Sequence, residues 1–135
     1  MIVQDFYIGR VGWHVKVFYS VTCYYVHEIL NSLRKIGCKG RVLEDAYRSL
    51  YNCDLDTGLT YSNTHARESV IVIAKSSSAA EFNNSLQHEQ RHLERHITES
   101  LGIDPNSEEA AYIAGDIAGE MFSHARHLMC DNCRP

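Results

Sequence analysis

Residues 68–101 read ESVIVIAKSSSAAEFNNSLQHEQRHLERHITESL, and the change of period inside this stretch decides the fold. Val70-Ile71-Val72-Ile73 is an unbroken β-branched run, the strongest strand signal in the chain. Ser76-Ser77-Ser78 breaks it. From 79 to 101 the apolar period becomes helical. At about 100° per residue, Phe82, Leu86, Leu93, Ile97 and Leu101 gather within roughly a third of the circumference. Gly102 supplies the C-terminal stop. Arg91, Glu94 and Arg95 point toward water. His88, His92 and His96 form a separate column along one border of the apolar stripe, with Glu89 between the two.

Working outward, Asp56-Thr57-Gly58 is a turn signal followed by LTYSNT (59–64). With the polar link Thr64–Arg67, that segment pairs with 68–74 as an expected hairpin. Upstream, WHVKVFYSV (13–21) alternates and reads as a strand. YYVHEILNSLRKIG (24–37) places Val26, Ile29, Leu30, Leu33 and Ile36 at helical spacing. VLEDAYRSLY (42–51) continues as a second helix with Leu43, Ala46, Tyr47 and Leu50 inward. Downstream, Asp104-Pro105 offers an N-cap with proline in the first turn, opening a last helix to about residue 129. The order is strand, two helices, hairpin, two long helices. This predicts an α+β fold, a small mostly antiparallel sheet packed with helices, in one domain over 1–129 with a short C-terminal tail at 130–135.

Composition narrows the function. The chain has 135 residues, 44% hydrophobic and 22% charged, with net charge -4, so nothing electrostatic recommends nucleic acid as a partner. No stretch approaches the roughly 18 to 20 apolar residues that cross a bilayer, so no membrane is expected. The first residues lack a signal peptide's layout. Five cysteines, an odd number, lead us to expect reduced thiols in a cytoplasmic setting, with a Cys38–Cys53 bridge as the minor alternative.

His88-Glu89-Gln90-Arg91-His92 is a physical device. Residues i and i+4 project from one helix face, so two imidazoles can reach one Zn2+ at about 2.0–2.1 Å. Glu89, one residue on, is angled away from ligation and toward the open position, where it can take a proton from zinc-bound water. Drawn at random from this composition, only about 0.03 such five-mers are expected, so the pattern asks for a reason. A catalytic zinc site takes three protein ligands plus water. His96 lies two turns beyond His88, too far along a straight helix for all three imidazoles to converge. It is expected instead as a polar donor near the cleft.

With SEEAAYIAGDIAGEMF (107–122) added, the chain resembles the gluzincin-type zinc metallopeptidases, most closely short phage- and prophage-encoded ones. The residues carrying the likeness are His88-Glu89-Gln90-Arg91-His92 and Glu108-Glu109-Ala110-Ala111-Tyr112, over about 68–122. The second group is similar to the Glu-x-x-Ala-(Asp/Asn/Tyr) signature of that family's glutamate helix. The resemblance implies a minimal zincin-like domain, with His88, His92 and a downstream glutamate holding zinc. Alignment on Ala111-Tyr112 selects Glu108, and Glu109 remains the other choice. On a helical wheel Glu108 borders Ala111, Gly115, Ala118 and Gly119, small residues that allow close helix approach.

Glu89 would act as general base and then acid on a peptide or protein substrate, with ESVIVIA as the cleft edge that takes an extended peptide by strand addition. Tyr112 stands where most gluzincin patterns have Asp or Asn, and Asp116 is the substitute. Tyr112 and His96 are the residues available to stabilise an oxyanion. The location implied is a host cytoplasm or a virion.

The rival expectation keeps the zinc without catalysis, as a stabilising ion in a binding or structural protein of a phage or mobile element. A third is a metal-free helical interaction domain. His124, His127, Cys130 and Cys133 are either a second, structural metal site or a tail with reduced thiols. Oligomeric state is not legible.

Overall fold

The computed structural model describes residues 2–133. Strands β1 (Ile2–Ile8) and β2 (Trp13–Val21) lead into helices α1 (Val26–Lys35) and α2 (Gly40–Tyr51). Strands β3 (Gly58–Asn63) and β4 (Glu68–Ala74) follow, then helices α3 (Ala79–Leu101) and α4 (Glu108–Ala125). The strand order is β1-β2-β4-β3. β1–β2 and β3–β4 pair antiparallel, whereas β2 and β4 run parallel, with α1, α2 and β3 forming the long crossover that a parallel pair requires. The α+β class, the small sheet and its helices are as read from sequence. The fourth strand and the parallel pairing are additions.

Period-2 geometry sorts the sheet into two cores. Val15, Val17, Tyr19, Ile71 and Ile73 face α3 and α4. Phe18, Val70 and Val72 face α1 and α2. Helices therefore cover both faces, which is why 70–73 is apolar without alternation. β1 carries a polar residue, Gln4, on its inward face, and both ends of the amide are engaged. Its Nε2 donates to the Glu120 carbonyl at 2.7 Å, and its Oε1 accepts from the Tyr19 hydroxyl at 2.7 Å. Burial holds that hydroxyl well above the ordinary tyrosine range.

α3 has the bounds its sequence signals gave. Ser78 caps it by accepting from the Glu81 N–H, and Gly102 closes it in the left-handed region at φ 68°. Gly58 opens β3 at φ 148°, where a Cβ would stand 1.8 Å from the Val72 carbonyl oxygen. Only glycine fits that turn.

Five expectations are corrected. Tyr47, expected inward on α2, is exposed and stacks on Tyr51 with ring centroids 5.5 Å apart. Asp104 does not cap α4: Ser107 does, accepting from the Ala110 N–H, while Asp104 closes the preceding turn through Asn106 and Ser107. The packing face of α4 is Ala110, Ile113, Ile117, Met121 and Ala125, and the small residues Ala111, Gly115, Ala118 and Gly119 are exposed, because branched side chains bury more area than glycine and alanine. The segment ESVIVIA is hydrogen-bonded on both sides, by β2 and β3, so it has no free edge to take a peptide; that edge belongs to β3. Cys23 and Cys53 form a disulfide, while Cys38 is buried with a free thiol. This replaces both the all-reduced expectation and the Cys38–Cys53 alternative, and removes the ground on which a cytosol-like compartment was expected. Among the described residues no helix is long and apolar enough to cross a membrane.

Candidate metal site on helix α3

α3 lies over the sheet with three kinds of neighbour, and each follows from its angular pattern. Phe82, Leu86, Leu93 and Ile97 are buried against the strands. One flank faces α4: Gln90 Nε2 donates to Met121 Sδ at 3.5 Å, and Arg91, Glu94 and Thr98 face Ala110, Ala111 and Ala114 across a groove. The opposite flank faces β3, and there the histidine column begins.

His88 and His92 stand on the outer side of that flank, with their Nε2 atoms 3.2 Å apart. Two nitrogens bound to one tetrahedral zinc at about 2.0–2.1 Å would be about 3.3–3.4 Å apart. The pair thus fits two corners of a tetrahedron with little adjustment. Helical spacing alone brings rings to the same face. That the two nitrogens lie within hydrogen-bond distance of each other is a property of the rotamers in this structure.

Glu89 takes a direction that the motif does not dictate. Its side chain turns inward to β3, where Oε2 accepts from the Thr57 hydroxyl at 2.7 Å and Oε1 from the Thr60 hydroxyl at 2.9 Å. The residue is 2% exposed. A carboxylate buried to that degree needs partners for both oxygens, and the strand provides them.

Glu108 and Glu109 are exposed on the first turn of α4. That turn packs beside Thr98, on the flank away from the imidazoles. Six residues, about 9 Å along the helix axis, separate Thr98 from His92. The structure does not bring either glutamate to the pair. Asp116 is engaged elsewhere, in an ion pair with Arg10 at 2.8 Å, and Arg10 also lies over the Tyr112 ring at 5.0 Å. Tyr112 is accordingly remote from the histidine column. Among the described residues no group of three or more His, Cys, Asp or Glu side chains is placed to hold a metal ion.

His96 belongs to a different construction. Trp13 Nε1–H donates to Ser69 Oγ at 2.8 Å, Ser69 Oγ and Ser62 Oγ are 2.6 Å apart, and Ser62 Oγ lies 2.7 Å from His96 Nδ1. This chain leads from a buried indole to a half-buried imidazole. Burial, reinforced by His92, holds the His96 ring below the ordinary histidine range, with Glu99 opposing. Thr57, Thr60, Ser62 and Ser69 escaped the sequence reading. Thr60 and Ser62 sit at i and i+2 of β3, so a polar face turned toward a helix was the available signal.

At the C-terminus, Asp131 Oδ1 accepts from the Ala79 N–H at 2.7 Å, so the tail docks on the start of α3. Cys130 and Cys133 neighbour each other, and the Cys133 thiol's hydrogen bond holds Cys130 below the usual thiol range. His124 instead stacks on Tyr19, ring centroids 6.0 Å apart, and bonds Ser123. The four tail residues expected to share a second metal are thus not gathered.

No family model, no curated protein and no solved structure matches this chain.

Proposed function

We propose that this protein binds a divalent ion of the zinc class through the Nε2 atoms of His88 and His92, and that the ion serves binding rather than hydrolysis. The observation supporting this is the 3.2 Å separation of the two imidazole nitrogens on one exposed helix flank. Imidazole suits zinc, copper and nickel and is a poor ligand for magnesium or calcium, which defines the class.

The full gluzincin arrangement does not fit the described residues. Its third ligand would come from α4, which packs on the other flank of α3, and Glu89 is occupied by the hydroxyls of Thr57, just ahead of β3, and of Thr60 within it. No hydrolytic step is therefore derived through the ion. Hydrolysis remains the second reading, favoured by one feature: Glu89 directly follows a ligand residue and its buried carboxylate packs against β3, an edge strand of the sheet. The substrate would then be a peptide or protein laid along β3.

Competition with a chromophoric chelator tests the leading reading. The wild type is expected to take zinc from the chelator, and His88→Ala and His92→Ala to lose that capacity. A wild type that takes up no zinc would overturn it. Peptidase assays on the zinc-loaded protein separate the two readings: cleavage of an unfolded protein substrate, abolished by Glu89→Gln with zinc retained, would establish hydrolysis instead.

A further inference from the structure

We infer that a second copy of this chain completes the site, with one ion held by His88 and His92 from each of two copies about a two-fold axis. This rests on the preceding reading of the pair as metal ligands and names the partner.

Three observations lead there. First, the pair supplies two tetrahedral corners and no other described residue supplies a third, whereas structural zinc sites are closed with four protein ligands. Two copies of a two-ligand site, related by the commonest oligomer symmetry, give four nitrogens. Second, the pair is reachable. His88 is exposed, and both rings lie on the outer side of α3, away from α4 and from the hydroxyls that hold Glu89. Third, the surrounding surface tolerates a like copy. The basic side chains of the same stretch, on the α4 side of the pair, are balanced along their own helix, Arg91 with Glu94 at 3.4 Å and Arg95 with Glu99 at 3.3 Å. Two such faces can approach without a net clash of charge.

The same surface says what kind of dimer this is. No large hydrophobic side chain of α3 is exposed, so this face offers no apolar patch with which two copies could associate unaided. Association through this face is therefore conditional on the ion, whose binding free energy is that of assembly. The exposed aromatic residues Tyr47 and Tyr51 lie on α2, part of the layer across the sheet, and Tyr112 and Phe122 lie on α4, which packs on the flank of α3 away from the pair.

The test is sedimentation velocity of the full chain in EDTA and in increasing zinc chloride, with bound zinc measured in the same samples. A monomer in EDTA is expected to double in mass, saturating at half an equivalent of zinc per chain, and to return to monomer on chelation. His88→Ala and His92→Ala, each at a surface position and checked for folding by circular dichroism, are expected to stay monomeric. A His124→Ala/His127→Ala double variant is expected to dimerise like the wild type. One zinc per chain with unchanged mass would overturn the inference while leaving the ligand assignment intact. Absence of zinc binding would overturn both. Doubling in EDTA, or doubling that survives His92→Ala, would overturn the inference alone.

Discussion

Ser62 Oγ lies 2.7 Å from Nδ1 of His96, at the end of a hydrogen-bonded chain that begins at the Trp13 indole. An indole N–H can only donate. Ser69 accepts from it, and the arrangement that uses each hydroxyl once as donor and once as acceptor passes the polarity outward to Ser62 and on to Nδ1. His96 then carries its proton on Nε2 and has no lone pair there for a metal. Long-range 1H–15N NMR is expected to find the Nε2–H tautomer and to show His96 signals unmoved by zinc that shifts His88 and His92. Ser62→Ala is expected to cost about 1–2 kcal/mol in urea denaturation, since it leaves Ser69 and His96 short of a partner.

The environment of His96 has a pH consequence with a definite sign. Its folded-state pKa is depressed by burial and by His92, so its contribution to stability is fully present above the unfolded value of about 6.5 and is lost as pH falls below it. In EDTA, the urea midpoint is expected to decline from pH 7 toward pH 5.5, less steeply in His96→Asn, which keeps an acceptor for Ser62. Glu94, raised chiefly by burial and opposed by Arg91, acts in the opposite sense as pH falls toward the ordinary carboxylate range.

Glu89 is a structural acceptor in this account. Glu89→Ala leaves the Thr57 and Thr60 hydroxyls unpaired beside a buried cavity, for an expected loss of about 2–4 kcal/mol. Glu89→Gln keeps one acceptor and is expected to lose less. Zinc affinity is expected to be unchanged in Glu89→Gln, as measured by chelator competition beside the denaturation curves.

The Cys23–Cys53 disulfide ties the start of α1 to the end of α2 across a sequence separation of 30. A loop of that length corresponds to about 3–4 kcal/mol of chain entropy removed from the unfolded state. Cys23→Ser is expected to lower stability by about 2–4 kcal/mol. In the native wild type a thiol reagent is expected to modify Cys130 and Cys133 rapidly and Cys38 only on unfolding, because burial shields Cys38 and pushes its thiol pKa up.

What was legible in the sequence is what local chemistry dictates. Ser78 and Gly102 bound α3, and the stripe from Phe82 to Ile97 is buried as its spacing required. β1 was not read, since Gln4 interrupts its apolar face and only Tyr19 and the Glu120 carbonyl, distant in sequence, make that amide tolerable. The unbroken apolar run of β4 marked a strand covered on both faces, but nothing in it named β2 as its parallel partner. The disulfide was hidden because an odd cysteine count does not identify partners.

At the site, helical spacing was enough to place His88 and His92 together. It could not say on which flank of α3 the next helix would pack. Ile113, Ile117 and Met121 settle that by pulling α4 over the β1 side of the sheet, and Glu108 goes with it. The role of Glu89 depended on Thr57 and Thr60, about 30 residues earlier in the chain.

The most direct measurement is anomalous diffraction at the zinc absorption edge from crystals grown with zinc chloride. A peak is expected about 2.0–2.1 Å from Nε2 of both His88 and His92, with neither Glu89 nor Glu108 among the ligands. A peak bound by Glu108, or seated on the C-terminal histidines and cysteines with the His88–His92 pair bare, would contradict the ligand assignment.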